Sequence, residues 1–168
     1  MFYKDKVVAI VGGGNSAVTD ALLLSRTASK VFLIHRRDTL RASKIYQDSL
    51  SSAQNITFLP NFTVSELVPV DNNRLDLILK STLTKEIMPL TCDGAFISIG
   101  MSPVTSLFKD QIILDDIGYI KADESTKTSI PGVFAAGDVR TKLVRQIVTA
   151  VSDGAVASYY AEKYLTSI

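Results

Sequence analysis

Apolar positions come first in short unbroken runs and later in alternation. Val7–Val11 is a continuous apolar run that ends at Gly12-Gly13-Gly14. Such a run suits a strand buried on both faces, as in a parallel sheet. From Asn15 to Ser29 the spacing turns helical. Ala17, Ala21, Leu24 and Ala28 form one stripe, with Val18 and Leu22 beside it. Val31–Ile34 predicts a second buried strand, the stretch from about Arg41 to Ala53 a second helix, and Ile56–Leu59 a third strand.

The period then changes. Phe62–Val70, Leu75–Thr82 and Glu86–Leu90 predict three successive strands, with Asp71-Asn72-Asn73 and Thr84-Lys85 as hairpin turns. Helix-linked parallel strands thus give way to an antiparallel meander. Ala95–Ile99 predicts one more strand, ending at Gly100, and Met101-Ser102-Pro103-Val104-Thr105 a hinge. Beyond it, Ile112–Leu114 and Tyr119-Ile120 flank a turn, and Val133–Ala136 predicts a short buried strand ending at Gly137-Asp138. A helix follows from about Arg145 to Leu165. Its face of Ile147, Ala150, Val151, Gly154 and Ala161 is rich in small residues, which let a helix sit close to a sheet or a cofactor. The whole reads as α/β, with domains at 1–100 and 101–168.

Composition narrows the classes of partner. With 18 basic and 17 acidic side chains, the net charge of +1 gives no electrostatic reason to expect nucleic acid or an anionic membrane. Cys92 is the one cysteine, so no disulfide framework forms within the chain, and a reduced cytoplasmic setting is expected. No apolar run approaches the ~18 residues that span a bilayer. Met1–Lys6 has no signal-peptide h-region.

One local constellation carries chemistry. Gly12-Gly13-Gly14-Asn15-Ser16-Ala17 matches G-x-G-x-x-A. Gly12 permits the tight strand-to-helix turn, Gly14 lets the backbone approach a pyrophosphate, and Ala17 keeps the helix near the strand. The helix N-terminus offers N–H groups and partial positive charge to phosphates. The motif follows a predicted strand and opens a helix, which is the context it requires. The plainer alternative is a Gly-rich turn. An NAD site has an acidic residue about 20 positions further on, at the end of the second strand. His35, Arg36 and Arg37 stand there instead, with Arg41 one helical turn on. Guanidinium forks match the oxygens of a 2′-phosphate, which a carboxylate would repel. A solvated basic loop is the alternative here. His35, the lone histidine, is read as an adenosine or phosphate contact, since no partner acid or nucleophile is near it.

Gly-Gly-Gly-Asn-Ser-Ala followed by His-Arg-Arg-Asp-x-x-Arg-Ala resembles the NADPH domain of bacterial low-molecular-weight thioredoxin reductases. Gly132-Val133-Phe134-Ala135-Ala136-Gly137-Asp138-Val139 and Arg145-Gln146 are similar to that family too, so the likeness spans essentially the whole chain. It implies a Rossmann-like FAD/NAD(P)-binding fold with an antiparallel β-meander, followed by part of a second, FAD-binding domain. It implies two cofactors. Gly12, Gly14, Asn15, Ser16 and Ala17 would contact the NADPH pyrophosphate, and His35, Arg36, Arg37 and Arg41 would surround the 2′-phosphate. Ile99 and Gly100 would line that pocket. Gly137 and Asp138 would serve FAD, Asp138 by accepting a hydrogen bond from its ribityl or ribose side. Arg145, Gln146 and Ile147 would lie at the flavin ring, where a helix N-terminus stabilises charge on the reduced flavin.

Departures from the family pattern qualify this. The family's first FAD-binding βαβ unit and its Cys-x-x-Cys pair are absent, so the chain is expected to be the C-terminal part of such an enzyme. It would be catalytically incomplete alone, without a catalytic residue or metal site of its own, and would bind FAD weakly or not at all. The complete enzyme would be a homodimer passing electrons from NADPH through FAD and the cysteines to thioredoxin or a similar redox protein. Thr91-Cys92-Asp93-Gly94 mimics the end of the redox motif, but Pro89 stands where its partner cysteine would be. Cys92 is therefore read as structural, at the start of the Ala95–Ile99 strand. Two other readings stay open: a ferredoxin- or flavodoxin-NADP reductase on the same scaffold, and a non-catalytic NADPH-binding remnant.

Overall fold

The unbroken apolar runs become parallel strands. In a computed structural model that describes residues 2–71 and 73–168, β1 (Val7–Val11), β2 (Lys30–His35), β3 (Ile56–Pro60) and β7 (Gly94–Ile97) form one parallel sheet in the order β3-β2-β1-β7. Val8 lies opposite Val31 and Ile10 opposite Leu33. The chain divides into two compact units, Met1–Gly100 and Met101–Ile168.

In the first unit both faces of the sheet are covered. Val8, Ile10, Val31 and Leu33 pack with Ala17, Val18 and Ala21 of α1 (Asn15–Ser25). Ala9 and Ile34 face the other way and meet Leu77, Leu79 and Cys92 of the meander. Each large side chain so buried contributes roughly 1.5–3 kcal/mol. The meander is β4 (Phe62–Val70), β5 (Arg74–Ser81) and β6 (Ile87–Cys92), antiparallel in the order β4-β5-β6. Asn73 and Lys85 turn its hairpins with positive φ of 58° and 64°. Asn72 of the first expected turn lies outside the described residues.

Several boundaries differ from the sequence reading. Helix α1 stops at Ser25 rather than Ser29, because the Asn55 carboxamide donates to the Ser25 and Ala28 carbonyls and ends the ladder there. The second helix, α2 (Lys44–Ser51), begins three residues after Arg41. Residues 41–43 are instead bonded back to the first glycine turn. Cys92 closes β6 opposite Leu75 and does not open β7. The break between these strands is set by Asp93, whose carboxylate accepts from the Val7 N–H at 2.8 Å while its own N–H donates to the Val7 carbonyl at 2.8 Å. Cys92 is buried, and burial pushes its thiol pKa up, as suits a structural residue.

The second unit has a smaller core, built on Ile112, Ile120 and Ala135. Leu114 and Ile120 form a single antiparallel bridge, closed by the Asp115 carboxylate, which accepts from the N–H of Ile117 (3.0 Å) and Tyr119 (2.8 Å). The strand expected at Val133–Ala136 is only one bridge, Lys127 with Phe134. Gly132 and Gly137, at φ +79° and +81°, bend the chain at both of its ends, leaving too short a run for a ladder. Helix α3 spans Ile147–Leu165, and Asp153 is its one buried residue among those described. On the small-residue face, Ile147 and Val151 are 85% and 66% exposed. Among the described residues no helix is long and apolar enough to cross a membrane.

Candidate functional site

The end of β1 is shaped by what three glycines exclude. Gly12 has φ +154°, and a Cβ there would fall on the Ser98 carbonyl oxygen and 2.8 Å from the Ala17 Cβ. Gly13 lies under His35, so that a Cβ would meet the imidazole at 2.5 Å. Gly14 caps α1 and has open space where its Cβ would be. A phosphate group can approach the backbone at that one position, beside the N–H groups of Asn15, Ser16 and Ala17, which have no partner within the helix.

His35 ends β2, opposite Pro60 of β3. Burial first, then the charges of Arg41, Arg36 and Arg37, lower its pKa, so the ring is neutral at neutral pH. Its Nε2 is buried without a hydrogen-bond partner. Arg36, Arg37 and Arg41 follow on an exposed loop, and among the described residues none has a carboxylate within 4.0 Å. Gly12, Gly13, His35, Arg36, Arg41 and Ile99 line one cavity of about 670 Å³, floored by Val11, Ile34 and Ile97. That volume is in the range that holds a small organic ligand or cofactor. Of the expected nucleotide-site residues, Gly14, Asn15, Ser16, Ala17, Arg37 and Gly100 do not line it. Arg41 reaches it from a loop and not, as expected, from one helical turn after Arg37. The loop is fixed by the Gly13 carbonyl, which accepts from the N–H of Arg41 at 2.7 Å and of Ala42 at 3.1 Å. The Asn15 side-chain Oδ1 accepts from the Ser43 N–H and hydroxyl. Gly13 takes part through its backbone carbonyl, and Ser43 through its backbone N–H and its hydroxyl; neither carries a spacing that the sequence alone would mark.

The remaining expected residues lie in the second unit. Gly137 opens a 3-10 turn, Gly137–Val139, in which the Asp138 carboxylate is exposed. The Arg145 guanidinium stacks on the Tyr119 ring at 4.0 Å, and its Nε is buried without a partner. Gln146 caps α3, its N–H donating to the Thr149 hydroxyl at 3.1 Å. Asp153, unremarked in the sequence, is the centre of this unit. It accepts from Arg140 through both oxygens (2.9 and 2.7 Å), from the Lys142 ammonium at 2.6 Å and from the Gly137 N–H at 2.9 Å. The Arg140 bond above all holds its carboxyl far below the usual carboxylate range. The signal in the sequence is a single charged residue inside an otherwise uncharged helical stretch, Ile147–Ala157. Among the described residues no cluster of histidine, cysteine and carboxylates could hold a metal.

A parallel sheet whose first strand ends in this glycine turn defines an α/β protein of the Rossmann type. The chain belongs to the pyridine nucleotide-disulphide oxidoreductase family, whose model matches residues 3–154. It is 44% identical to a thioredoxin reductase of Listeria monocytogenes over 99% of this chain and 52% of that protein. With a thioredoxin reductase of Rickettsia conorii the identity is 45%, over 98% of this chain and 54% of the other. The solved thioredoxin reductase of Streptococcus pyogenes superposes with a TM-score of 0.76 at 42% identity, over 99% of this chain and 55% of that one. The chain thus spans about half the length of the curated relatives it matches.

Proposed function

We propose that this chain is part of an NADPH-dependent flavin oxidoreductase of the thioredoxin reductase type, with residues 1–100 as its NADPH-binding domain and residues 101–168 as the C-terminal part of its FAD-binding domain. One observation carries the choice of NADPH: the end of β2 bears no acid, and among the described residues Arg36 and Arg41, which line the cavity together with Glu66, have no carboxylate within 4.0 Å. The open space at Gly14 fits a pyrophosphate. For FAD the fit is the exposed Asp138 carboxylate, held on a turn whose Gly137 N–H is bonded to Asp153.

When bound, the two cofactors supply the hydride chemistry. This chain's residues bind and orient them. Gly12 and Gly14 bring the start of α1 to the pyrophosphate, and Arg36, Arg37 and Arg41 neutralise the 2′-phosphate beside a neutral His35. Asp138 would hold the FAD ribityl or ribose side, with the start of α3, Arg145–Ile147, at the flavin. With its side chain stacked on Tyr119, Arg145 would act there through its backbone. Gly100 and Ile99 close the nucleotide domain. In the complete enzyme, a homodimer in the cytoplasm, a cysteine pair outside this chain would relay electrons to thioredoxin.

Titration calorimetry with NADPH and NADH tests the reading. Two charge-assisted bonds of ~1.5–3 kcal/mol each favour NADPH by on the order of 100-fold or more. The Arg36→Ala, Arg41→Ala double variant should lose most of that preference. Equal affinities for the two cofactors in the wild type would sink the reading.

A further inference from the structure

Asn15 opens α1 directly after the glycine turn, where a side chain would be read as a pyrophosphate contact. Its Oδ1 instead accepts two hydrogen bonds from one residue 28 positions away, the Ser43 N–H at 2.8 Å and the Ser43 hydroxyl at 3.0 Å. The N–H is a pure donor, so the atom facing it must be the carboxamide oxygen. On the other side of Gly14, the Gly13 carbonyl accepts from Arg41 and Ala42. Three consecutive residues, 41–43, therefore hang from the two residues that flank Gly14. Gly13 supplies a backbone group that no substitution removes. Asn15 supplies a side chain, whose replacement removes both bonds to Ser43 at once.

We propose that Asn15 is a specificity-determining positioning residue: through Ser43 it holds the 41–43 loop so that the Arg41 guanidinium stands over the cavity, and it acts on the 2′-phosphate without touching it. The inference rests on the reading of the cavity as an NADPH site. Its consequence is asymmetric. NADPH and NADH share the pyrophosphate, so an Asn15 that bound it would matter equally to both. An Asn15 that places Arg41 matters only to the cofactor with a 2′-phosphate. A charge-assisted bond needs close approach and alignment, so releasing one end of the loop weakens it.

The experiment is calorimetric titration of the full chain and its Asn15→Ala variant with NADPH and with NADH. Asn15 is exposed and at a helix start, and the circular dichroism melt of the variant checks its fold. We expect NADPH affinity to fall about tenfold and NADH affinity to stay within about twofold. Ser43→Ala removes the hydroxyl bond but keeps the backbone one, so it should give a smaller change in the same direction. Hydrogen exchange at the Ser43 amide should quicken in Asn15→Ala without any cofactor present. Equal losses for both cofactors, or an unchanged Ser43 amide, overturn the proposal while leaving the NADPH reading standing. A wild type with no preference for NADPH overturns both.

Discussion

The two units solve the same problem, holding a glycine turn in place, by opposite means. In the first, the turn at Gly12–Gly14 is fixed by packing. Ala17, Val18 and Ala21 of α1 press on β1 and β2, and the polar contacts that tie the turn to the 41–43 loop are made by uncharged groups, the Gly13 carbonyl and the Asn15 carboxamide. In the second, the turn at Gly137 is fixed by charge. Asp153 binds its N–H and is itself neutralised by Arg140 and Lys142, beside a core of a few aliphatic residues. Packing tolerates a missing polar group and punishes added volume. A buried ion cluster tolerates neither the loss of one charge nor its titration.

The largest expected effect follows from that contrast. Asp153→Asn keeps the shape of the side chain but leaves Lys142 without its counter-charge and Arg140, 2% exposed, with only the exposed Glu124 carboxylate at 3.9 Å. Breaking such a pair costs about 3–5 kcal/mol, most of the stability of a unit this small. Hydrogen exchange with mass spectrometry should show Val133–Leu165 opening in the variant while Val7–Val11 keeps the protection of the wild type. Equal loss in both stretches would mean that the two units do not differ in the way described.

How much of this was legible beforehand follows the same division. Strands β1 and β2 could be read off because each is an apolar run buried largely on both faces, and the half-buried edge strand β3 because its run is short and apolar. The glycine turn could be read because its residue types have mechanical jobs. The start of α2 could not, because what delays it is a pair of bonds to the Gly13 carbonyl from 28 and 29 residues away. Nor could the ends of β6 and β7, which Asp93 sets by pairing with Val7 across 86 residues. The Asp153 cluster joins a helix to the loop before it, and Arg140, Lys142 and Asp153 follow no spacing that a motif would record. Contacts made by packing period are local in the sequence; contacts made by single polar groups are not.

A pair of glycine substitutions probes the first unit with an intermediate effect. Gly13→Ala drives a methyl into the His35 ring, and overpacking of that kind costs about 1–3 kcal/mol. Gly14→Ala puts the same methyl into open space at φ −91°, an ordinary backbone conformation, so thermal stability should change by no more than about 0.5 kcal/mol. Under the proposed function, it should nonetheless weaken NADPH and NADH alike, since the methyl occupies the approach to the pyrophosphate. Thermal melts and titrations of both variants separate the two roles. Similar melting losses for Gly13→Ala and Gly14→Ala would contradict the geometry of the turn.

The smallest effect lies in pH. His35 has its pKa lowered, by burial first and by Arg41, Arg36 and Arg37 after it. As pH falls through about 6.5, the unfolded chain takes up a proton on this histidine that the folded chain refuses. Folding stability of the first unit therefore declines with falling pH from that point and levels off below the folded pKa. Asp153 behaves differently. Its pKa is lowered as a carboxylate, so its contribution is fully present above the unfolded value of about 3.9 and is lost as pH falls through the folded one. Between pH of about 6.5 and about 4, acid should thus loosen the first unit slightly and leave the Asp153 cluster untouched. Hydrogen exchange at two pH values in that window, corrected for the intrinsic rate, reads the difference. His35→Asn, which cannot titrate, should abolish the pH dependence in Val31–His35. If that segment stays equally pH-dependent in the variant, the imidazole over Gly13 is not the group that senses acid.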